Sequence, residues 1–328
     1  MIKKILIDRF YPRDYSIEKN IFGSKYKLIS LKGKKLSSKI KILSEIDGVL
    51  AWHENEYNPE ILDKLKKCKI ITRVGVGFNN VDLNYSRSKN IVVCNVPDYG
   101  INDVADHAIT LLLMLVKKIN YYSENIKNKL QWEWGDHKKL KRIQELTLGI
   151  LGCGRIGSAV AIRAKAFGMK VIFYDPYVSA GYEKTLSIFR EENLNSFLNK
   201  IDALSIHTPL TQETKNIVDS NFLKKLKRGA IIINTARGSI VNSKAIYKYL
   251  NNGHLGGIGF DVYDQEPPKK NDKLYMAWKK DLKNFQYNVI FTPHNAFFNK
   301  ESYIELREKA ALNIKNYFEK NRINNRVN

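Results

Sequence analysis

Thr147-Leu148-Gly149-Ile150-Leu151-Gly152-Cys153-Gly154-Arg155-Ile156-Gly157 is an apolar run that passes directly into a glycine-rich turn. The run reads as a buried strand over Leu148 to Leu151, and a helix rich in Ala, Val and Ile follows the turn. In such a unit Gly152 permits the tight turn, Gly154 lets a pyrophosphate approach the backbone, and Gly157 lets helix and strand pack closely. Arg155 and Ile156 open the helix, whose first N–H groups and positive dipole end face the phosphates. The next apolar run ends in Asp175, 18 residues beyond Gly157, close to where a carboxylate binds the adenosine ribose hydroxyls. That acid selects NAD over NADP, because it repels a 2′-phosphate and no basic residue follows it immediately. An earlier turn, Gly75-Val76-Gly77-Phe78-Asn79-Asn80, carries Asn80 where a third glycine is needed. It is a poor dinucleotide loop, but its N–H groups can hold a carboxylate.

Outward from the loop, apolar runs alternate with amphipathic stretches, the pattern of parallel sheets flanked by helices. Toward the N-terminus the expected strands are Lys4 to Asp8, Lys27 to Leu31, Gly48 to Trp52, Lys69 to Val74 and Ile91 to Val96, with a helix over Pro59 to Lys67. A long helix is expected from Asn102 to about Lys129, its apolar face marked by Ile109, Leu112, Leu113 and Val116. The second series holds about six strands: Leu148 to Leu151, Val171 to Asp175, Ala203 to His207, Ala230 to Thr235, Gly257 to Asp261 and Val289 to Thr292. A closing helix runs from Glu301 to about Lys320. The fold class is therefore α/β with two doubly wound parallel-sheet domains.

Composition narrows the function classes. The 328 residues are 44% hydrophobic, enough for roughly two domains with full cores. The longest apolar candidate, Ile109 to Val116, stops at Lys117-Lys118 and is too short for a bilayer, and Asp8-Arg9 ends the short apolar start, so neither a membrane span nor a signal peptide is expected. Cys68, Cys94 and Cys153 form no CxxC pair and sit in or beside apolar runs, so they read as buried thiols in a reducing compartment rather than a metal site. A soluble, cytoplasmic protein with no metal is expected. The net charge of +22 raises nucleic acid as a partner, but lysines scattered among Asn and Ile along the chain do not form a patch and no recognised nucleic-acid motif accompanies them.

Three chemically apt residues follow strand ends: Arg237 after Ala230 to Thr235, Glu266 beyond Gly257 to Asp261, and His294 after Val289 to Thr292. The carboxyl ends of strands in a doubly wound sheet share the edge at which the dinucleotide sits. Reducing a 2-oxo acid requires a cation for its carboxylate, which a guanidinium binds in bidentate fashion, and an acid that titrates near neutrality, which is the property of histidine. A carboxylate beside that histidine fixes its tautomer. No nucleophile elbow competes with this reading.

These residues resemble the D-isomer-specific 2-hydroxyacid dehydrogenase family over nearly the whole chain. The matching segments are VGVGFNNVD (74 to 82), NVP with VADH (95 to 107), LGILGCGRIG (148 to 157), HTPLTQET (207 to 214), INTARG (233 to 238), FDVYDQEP (260 to 267) and TPH (292 to 294). RAKAFGMKVIFYDPY (163 to 177) and IELREKAA (304 to 311) look most like the C-terminal-binding-protein branch, whose animal members are NAD-linked transcriptional co-repressors. The resemblance implies Arg237 as carboxylate binder, His294 as acid/base and Glu266 as its partner. It implies cofactor contacts from His207, Thr208, Pro209 and Thr214, from Thr235 and Ala236, and from Asp261 toward the nicotinamide. It places substrate contacts at the Val76 and Gly77 amides, with His53 and Arg73 at substrate-side positions of the co-repressor branch. Phe297 stands where that branch carries Trp and keeps an aromatic wall; Asp106 stands where most dehydrogenases of the family have Glu.

The resemblance further implies a discontinuous, flavodoxin-like substrate domain (1–97 plus 296–328), a Rossmann NAD-binding domain (98–295), a homodimer formed through an arm at about 98–142, and an active site in a hinged cleft. The segment Lys269 to Asn288 is longer than usual and reads as a lid, a partner surface or a simple excursion. The leading expectation is an NAD-dependent oxidoreductase that interconverts a D-2-hydroxy acid and a 2-oxo acid. The alternative is an NAD(H)-gated dimeric, co-repressor-like binding protein with little catalytic role.

Overall fold

A computed structural model describes residues 2–8, 14–31, 36, 40–130, 132–134 and 140–328. The chain divides into two compact units, residues 1–100 with 298–328 and residues 101–297. Part of the expected dimer arm, residues 131 and 135–139, lies outside the described residues.

The first unit is built on five parallel strands, β1 (Lys3–Ile7), β2 (Tyr26–Ser30), β3 (Gly48–Ala51), β4 (Ile70–Arg73) and β5 (Val92–Cys94). Their order is β2-β1-β3-β4-β5, the flavodoxin-like arrangement. Ile5, Leu6, Val49, Leu50, Ile70 and Ile71 are buried, as expected where helices cover both faces of a parallel sheet. The helix Lys300–Lys320 packs on β3 and β4 and returns the end of the chain to this sheet. Its Arg307 makes a two-point ion pair with Glu18 on the helix Ser16–Phe22, Nε to Oε1 at 2.8 Å and Nη2 to Oε2 at 2.5 Å. Both groups are buried, so the bidentate geometry is what offsets their desolvation.

The second unit contains β6 (Thr147–Leu151), β7 (Lys170–Tyr174), β8 (Phe189–Arg190), β9 (Ala203–Ile206), β10 (Ala230–Asn234), β11 (Leu255–Phe260) and β12 (Val289–Phe291). All pair in parallel, in the order β12-β11-β10-β9-β6-β7-β8, which is the Rossmann winding extended by one strand. The order reverses between β6 and β9, and the crevice beyond that reversal is where such sheets bind nucleotides. Seven strands stand where about six were expected. The addition, Phe189–Arg190, has two residues, too few for an alternating pattern to register.

The long helix expected from Asn102 divides into Ile101–Val116 and Ile119–Lys129. Lys118 takes φ 54, outside the helical region, and its ammonium donates to Asn288 Oδ1 at 2.6 Å. The helix expected over Pro59 to Lys67 is confined to Pro59–Leu62, with Asn58 as its N-cap. Within 269–288 a helix, Lys273–Lys279, is capped by Asp272, which also accepts from the Tyr263 hydroxyl at 2.5 Å. Leu274, Ala277 and Phe285 are buried in the core of this unit, and Trp278 meets Phe291 edge-on at 5.1 Å. These contacts anchor the segment to the core of the second unit.

The three cysteines are free and buried. Burial pushes the Cys68 thiol up to about 12 and those of Cys94 and Cys153 up to about 11, so the reactive thiolate is suppressed. None of the described helices is long and apolar enough to cross a membrane.

Candidate active site

Strand register decides where the candidate residues emerge. Leu151 aligns with Ile206, Ile206 with Asn234, Asn234 with Phe260, and Phe260 with Phe291. The phosphate loop, His207-Thr208, the Thr235–Arg237 turn, Asp261 and the Thr292–His294 turn therefore leave the sheet along one edge.

At the loop, Gly152 takes φ 89, and a Cβ there would lie 2.7 Å from the Thr208 backbone nitrogen. A Cβ on Gly157 would meet the Gly152 carbonyl oxygen at 2.2 Å, whereas Gly154 faces open space where a phosphate can approach. Arg155 and Ile156 begin the helix Arg155–Ala166. The Asp175 carboxylate accepts from Cys153 N–H at 2.8 Å and Tyr177 N–H at 2.9 Å, which fixes it beside the loop. Burial pushes the His207 imidazole down to about 3, so it is neutral at physiological pH, and its Nε2 lies 2.7 Å from Ser205 Oγ. Thr214 Oγ1 donates to the Pro209 carbonyl at 2.6 Å and knots that loop. The hydroxyl oxygens of Thr208 and Thr235 are buried and make no hydrogen bond among the described residues. Orphaned groups of this kind, beside a cradle that requires glycine at 152 and 157, fit a polar ligand such as a dinucleotide.

Around the other candidates the loops are tied to one another. The buried Asn234 shapes the turn after β10, accepting from Ala236 N–H at 3.0 Å and donating to the Arg237 carbonyl at 2.9 Å. Arg237 Nη1 donates to the Ala236 carbonyl at 2.5 Å. Gly238 then passes so close to the loop after β11 that a Cβ would lie 1.9 Å from the Tyr263 carbonyl carbon. This approach draws the Arg237 turn against the Tyr263–Glu266 turn. A Gly238→Ala substitution forces the two backbones apart; it lowers the melting temperature by roughly 5–10 °C, from overpacking of about 3 kcal/mol. Calorimetry checks this, and an unchanged transition would mean the loops separate freely.

Glu266 accepts from Tyr263 N–H at 2.9 Å through Oε1, and its Oε2 lies 2.7 Å from His294 Nδ1. An ionised carboxylate only accepts, so it holds a proton on Nδ1 and leaves Nε2 to exchange one. His294 adopts φ 53, and its own N–H donates to the Asp261 carbonyl at 2.8 Å. The Asp261 carboxylate staples the same turn, accepting from the Thr292 hydroxyl at 2.6 Å, Asn295 N–H at 2.9 Å and Ala296 N–H at 2.9 Å. His107 Nε2, on the Ile101–Val116 helix, lies 3.0 Å from Thr292 Oγ1. Since Thr292 gives its one proton to Asp261, His107 is the donor in that pair. Sequence reasoning did not single out His107, Thr292, Asn234 or Gly238 as site residues, although VADH, INTARG and TPH contain all four.

In the first unit the register aligns Ile7 with Leu50, Leu50 with Thr72 and Ala51 with Arg73, so His53, Arg73, Val76 and Gly77 belong to loops leaving one edge of that sheet. The Arg73 side chain folds back to the Val74 carbonyl over Gly75, where a Cβ would lie 2.5 Å from Nη1. The Val76 carbonyl accepts from Asn95 Nδ2 at 2.7 Å. His53 is exposed, and Phe297 ends the other unit, half-buried. Beneath the His53 loop, Asp8 pairs with Trp52 N–H at 2.6 Å and the Tyr57 hydroxyl at 2.6 Å, and burial raises its pKa to about 7. A carboxyl raised on folding binds more protons folded than unfolded, so its contribution falls as pH rises from about 4 to about 7, by about 1.4 kcal/mol per unit for this group. Asn mimics the protonated acid. The melting temperature of Asp8→Asn minus that of the parent therefore becomes more positive between pH 5 and pH 8; a difference independent of pH would contradict the shift.

Residues 109–296, more than half of the chain, match the model of the D-isomer specific 2-hydroxyacid dehydrogenase NAD-binding domain. The chain belongs to this family. Among curated relatives, C-terminal-binding protein 1 of Caenorhabditis elegans is 32% identical over 84% of the chain and 38% of the relative. The D-3-phosphoglycerate dehydrogenase of Methanocaldococcus jannaschii is 32% identical over 96% of the chain and 56% of the relative. The chain thus spans about 40 to 60% of the length of these two relatives. Among solved structures, D-lactate dehydrogenase of Aquifex aeolicus, complexed with NAD and lactic acid, superposes with a TM-score of 0.86 at 28% identity, covering 96% of each chain. The NAD-complexed 2-hydroxyacid dehydrogenase of Lactobacillus delbrueckii ssp. bulgaricus gives 0.80 at 25%, covering 99% of this chain and 100% of that one.

Proposed function

We propose that this chain is an NAD-dependent D-2-hydroxyacid dehydrogenase that interconverts a 2-oxo acid and the corresponding D-2-hydroxy acid. The observation that carries the reading is the 2.7 Å pair of His294 Nδ1 and Glu266, at the same sheet edge as the glycine loop and Asp175. NADH, when bound, supplies the hydride that reaches the carbonyl carbon. Arg237 binds the substrate carboxylate through its planar fork and polarises the carbonyl. His294 gives its Nε2 proton to the carbonyl oxygen as negative charge develops there, and Glu266 stabilises the orientation in which it does so. In the reverse direction His294 takes the hydroxyl proton. Asp261, with Thr292 and His107, holds the turn on which His294 sits, and it would lie on the nicotinamide side when the dinucleotide is bound. Substrate contacts from Val76, Gly77, His53, Arg73 and Phe297 are part of the proposal.

A homodimer is also proposed, through the arm whose described residues include the exposed Leu130, Trp132 and Trp134. Two of the relatives named above are a D-lactate dehydrogenase and a D-3-phosphoglycerate dehydrogenase, and the substrate class is drawn from them. NADH oxidation is followed across glyoxylate, pyruvate, phenylpyruvate and 3-phosphohydroxypyruvate. Turnover of at least one is expected. Tight NADH binding with no turnover of any would favour the second reading, a dinucleotide-gated binding protein, which the similarity to C-terminal-binding protein 1 keeps in view.

A further inference from the structure

We propose that Arg190 is a positioning residue of the cofactor site: its guanidinium clamps the Asp175–Ser179 turn and so sets the carboxylate that receives the adenosine ribose. The two-residue strand β8 pairs Phe173 with Arg190 beside β7, directly below the turn that β7 leads into. From there Nη1 donates to the carbonyls of Val178 at 3.2 Å and Ser179 at 3.3 Å, and Nη2 donates to the carbonyl of Asp175 at 3.3 Å. The side chain is 17% exposed, its Nε lies 3.9 Å from Glu192, and its guanidinium carbon stands 6.0 Å from the Phe173 ring centre.

The turn has reason to need such a clamp. Pro176 contributes no N–H to it, and carbonyls that converge on one side of a turn repel unless a cation lies among them. The turn is also tied by the Tyr177 hydroxyl to Glu213. The cation donates to the main-chain carbonyl of Asp175, while the carboxylate is aligned by the N–H groups of Cys153 and Tyr177. Arg190 therefore orients the acid through the backbone, and its fork geometry matters more than its charge. The inference rests on the NAD-binding domain and not on the proposed reaction, so the two fail separately.

The test is equilibrium binding of NADH and of ADP-ribose to the full chain, by fluorescence and calorimetry, in Arg190→Met, Arg190→Lys, Asp175→Ala and the double variant Arg190→Met/Asp175→Ala. Arg190→Met weakens both ligands by about tenfold, the loss from one misdirected charge-assisted hydrogen bond. Arg190→Lys retains the charge but not the fork, and loses nearly as much. In the Asp175→Ala background Arg190→Met produces no further loss, because the acid it positions is gone. An Arg190→Met affinity equal to that of the parent, full recovery in Arg190→Lys, or the same loss with and without Asp175 would overturn the proposal. Far-UV dichroism confirms that each protein is folded, and if Arg190→Met does not fold, Arg190→Lys in the two backgrounds decides.

Discussion

His294→Gln lowers kcat for the reduction of a 2-oxo acid by NADH by about three orders of magnitude, while the NADH dissociation constant stays within about twofold. Glutamine keeps a donor of similar reach but cannot release a proton and take it back. The cofactor-side geometry does not depend on the imidazole: Asp261 holds Asn295 and Ala296 through its carboxylate, and those bonds survive the substitution. Glu266→Gln should lose less, about one to two orders, because it removes the negative charge beside Nδ1 but keeps an acceptor there and leaves the imidazole in place. Steady-state rates with fluorescence titration of NADH separate the two effects. A His294→Gln enzyme within tenfold of the parent would remove His294 from the acid/base role.

Arg237→Gln is the second large effect, with kcat/KM falling by about a thousandfold through both a higher KM and a lower kcat. The substituted group is charged and planar, and bidentate binding of a carboxylate is worth more than a neutral amide can replace. Asn234 and Gly238 hold the main chain of this turn, so the change falls on the guanidinium alone. Arg237→Lys should recover less than a tenth of the lost activity, since an ammonium is a point charge without the fork. Equal rescue by lysine would show that charge alone is needed at this position, and an unchanged KM would move carboxylate recognition elsewhere.

The elements legible in the sequence were those whose signal is local. Gly152, Gly154, Gly157 and Asp175 all lie within one strand-turn-helix-strand unit, and their spacing is itself the geometry that the structure displays. Both sheets were legible because strands buried on two faces are continuous apolar runs. The parts not legible depend on residues far apart in the chain. Gly238 must be glycine because of the backbone at Tyr263 and Asp264, and nothing near Gly238 announces that neighbour. His107 joins the turn of His294 only because a helix carries it to Thr292. Arg190 reads as one charged residue among many until β8 sets it under Asp175. At the division of the long helix no glycine or proline marks the break, and Lys118 there bonds a distant residue, Asn288.

The defining step of the proposed reaction is hydride delivery to the carbonyl carbon of a 2-oxo acid with formation of the D-isomer. It is tested most directly by turning over pyruvate, or whichever 2-oxo acid reacts fastest, with NADH carrying deuterium at C4, each face labelled in turn, and resolving the product by chiral chromatography and mass spectrometry. The expected product is a D-2-hydroxy acid bearing one deuterium at C2 from one labelled face and none from the other. A product of L configuration, or one without deuterium from either face, would contradict it.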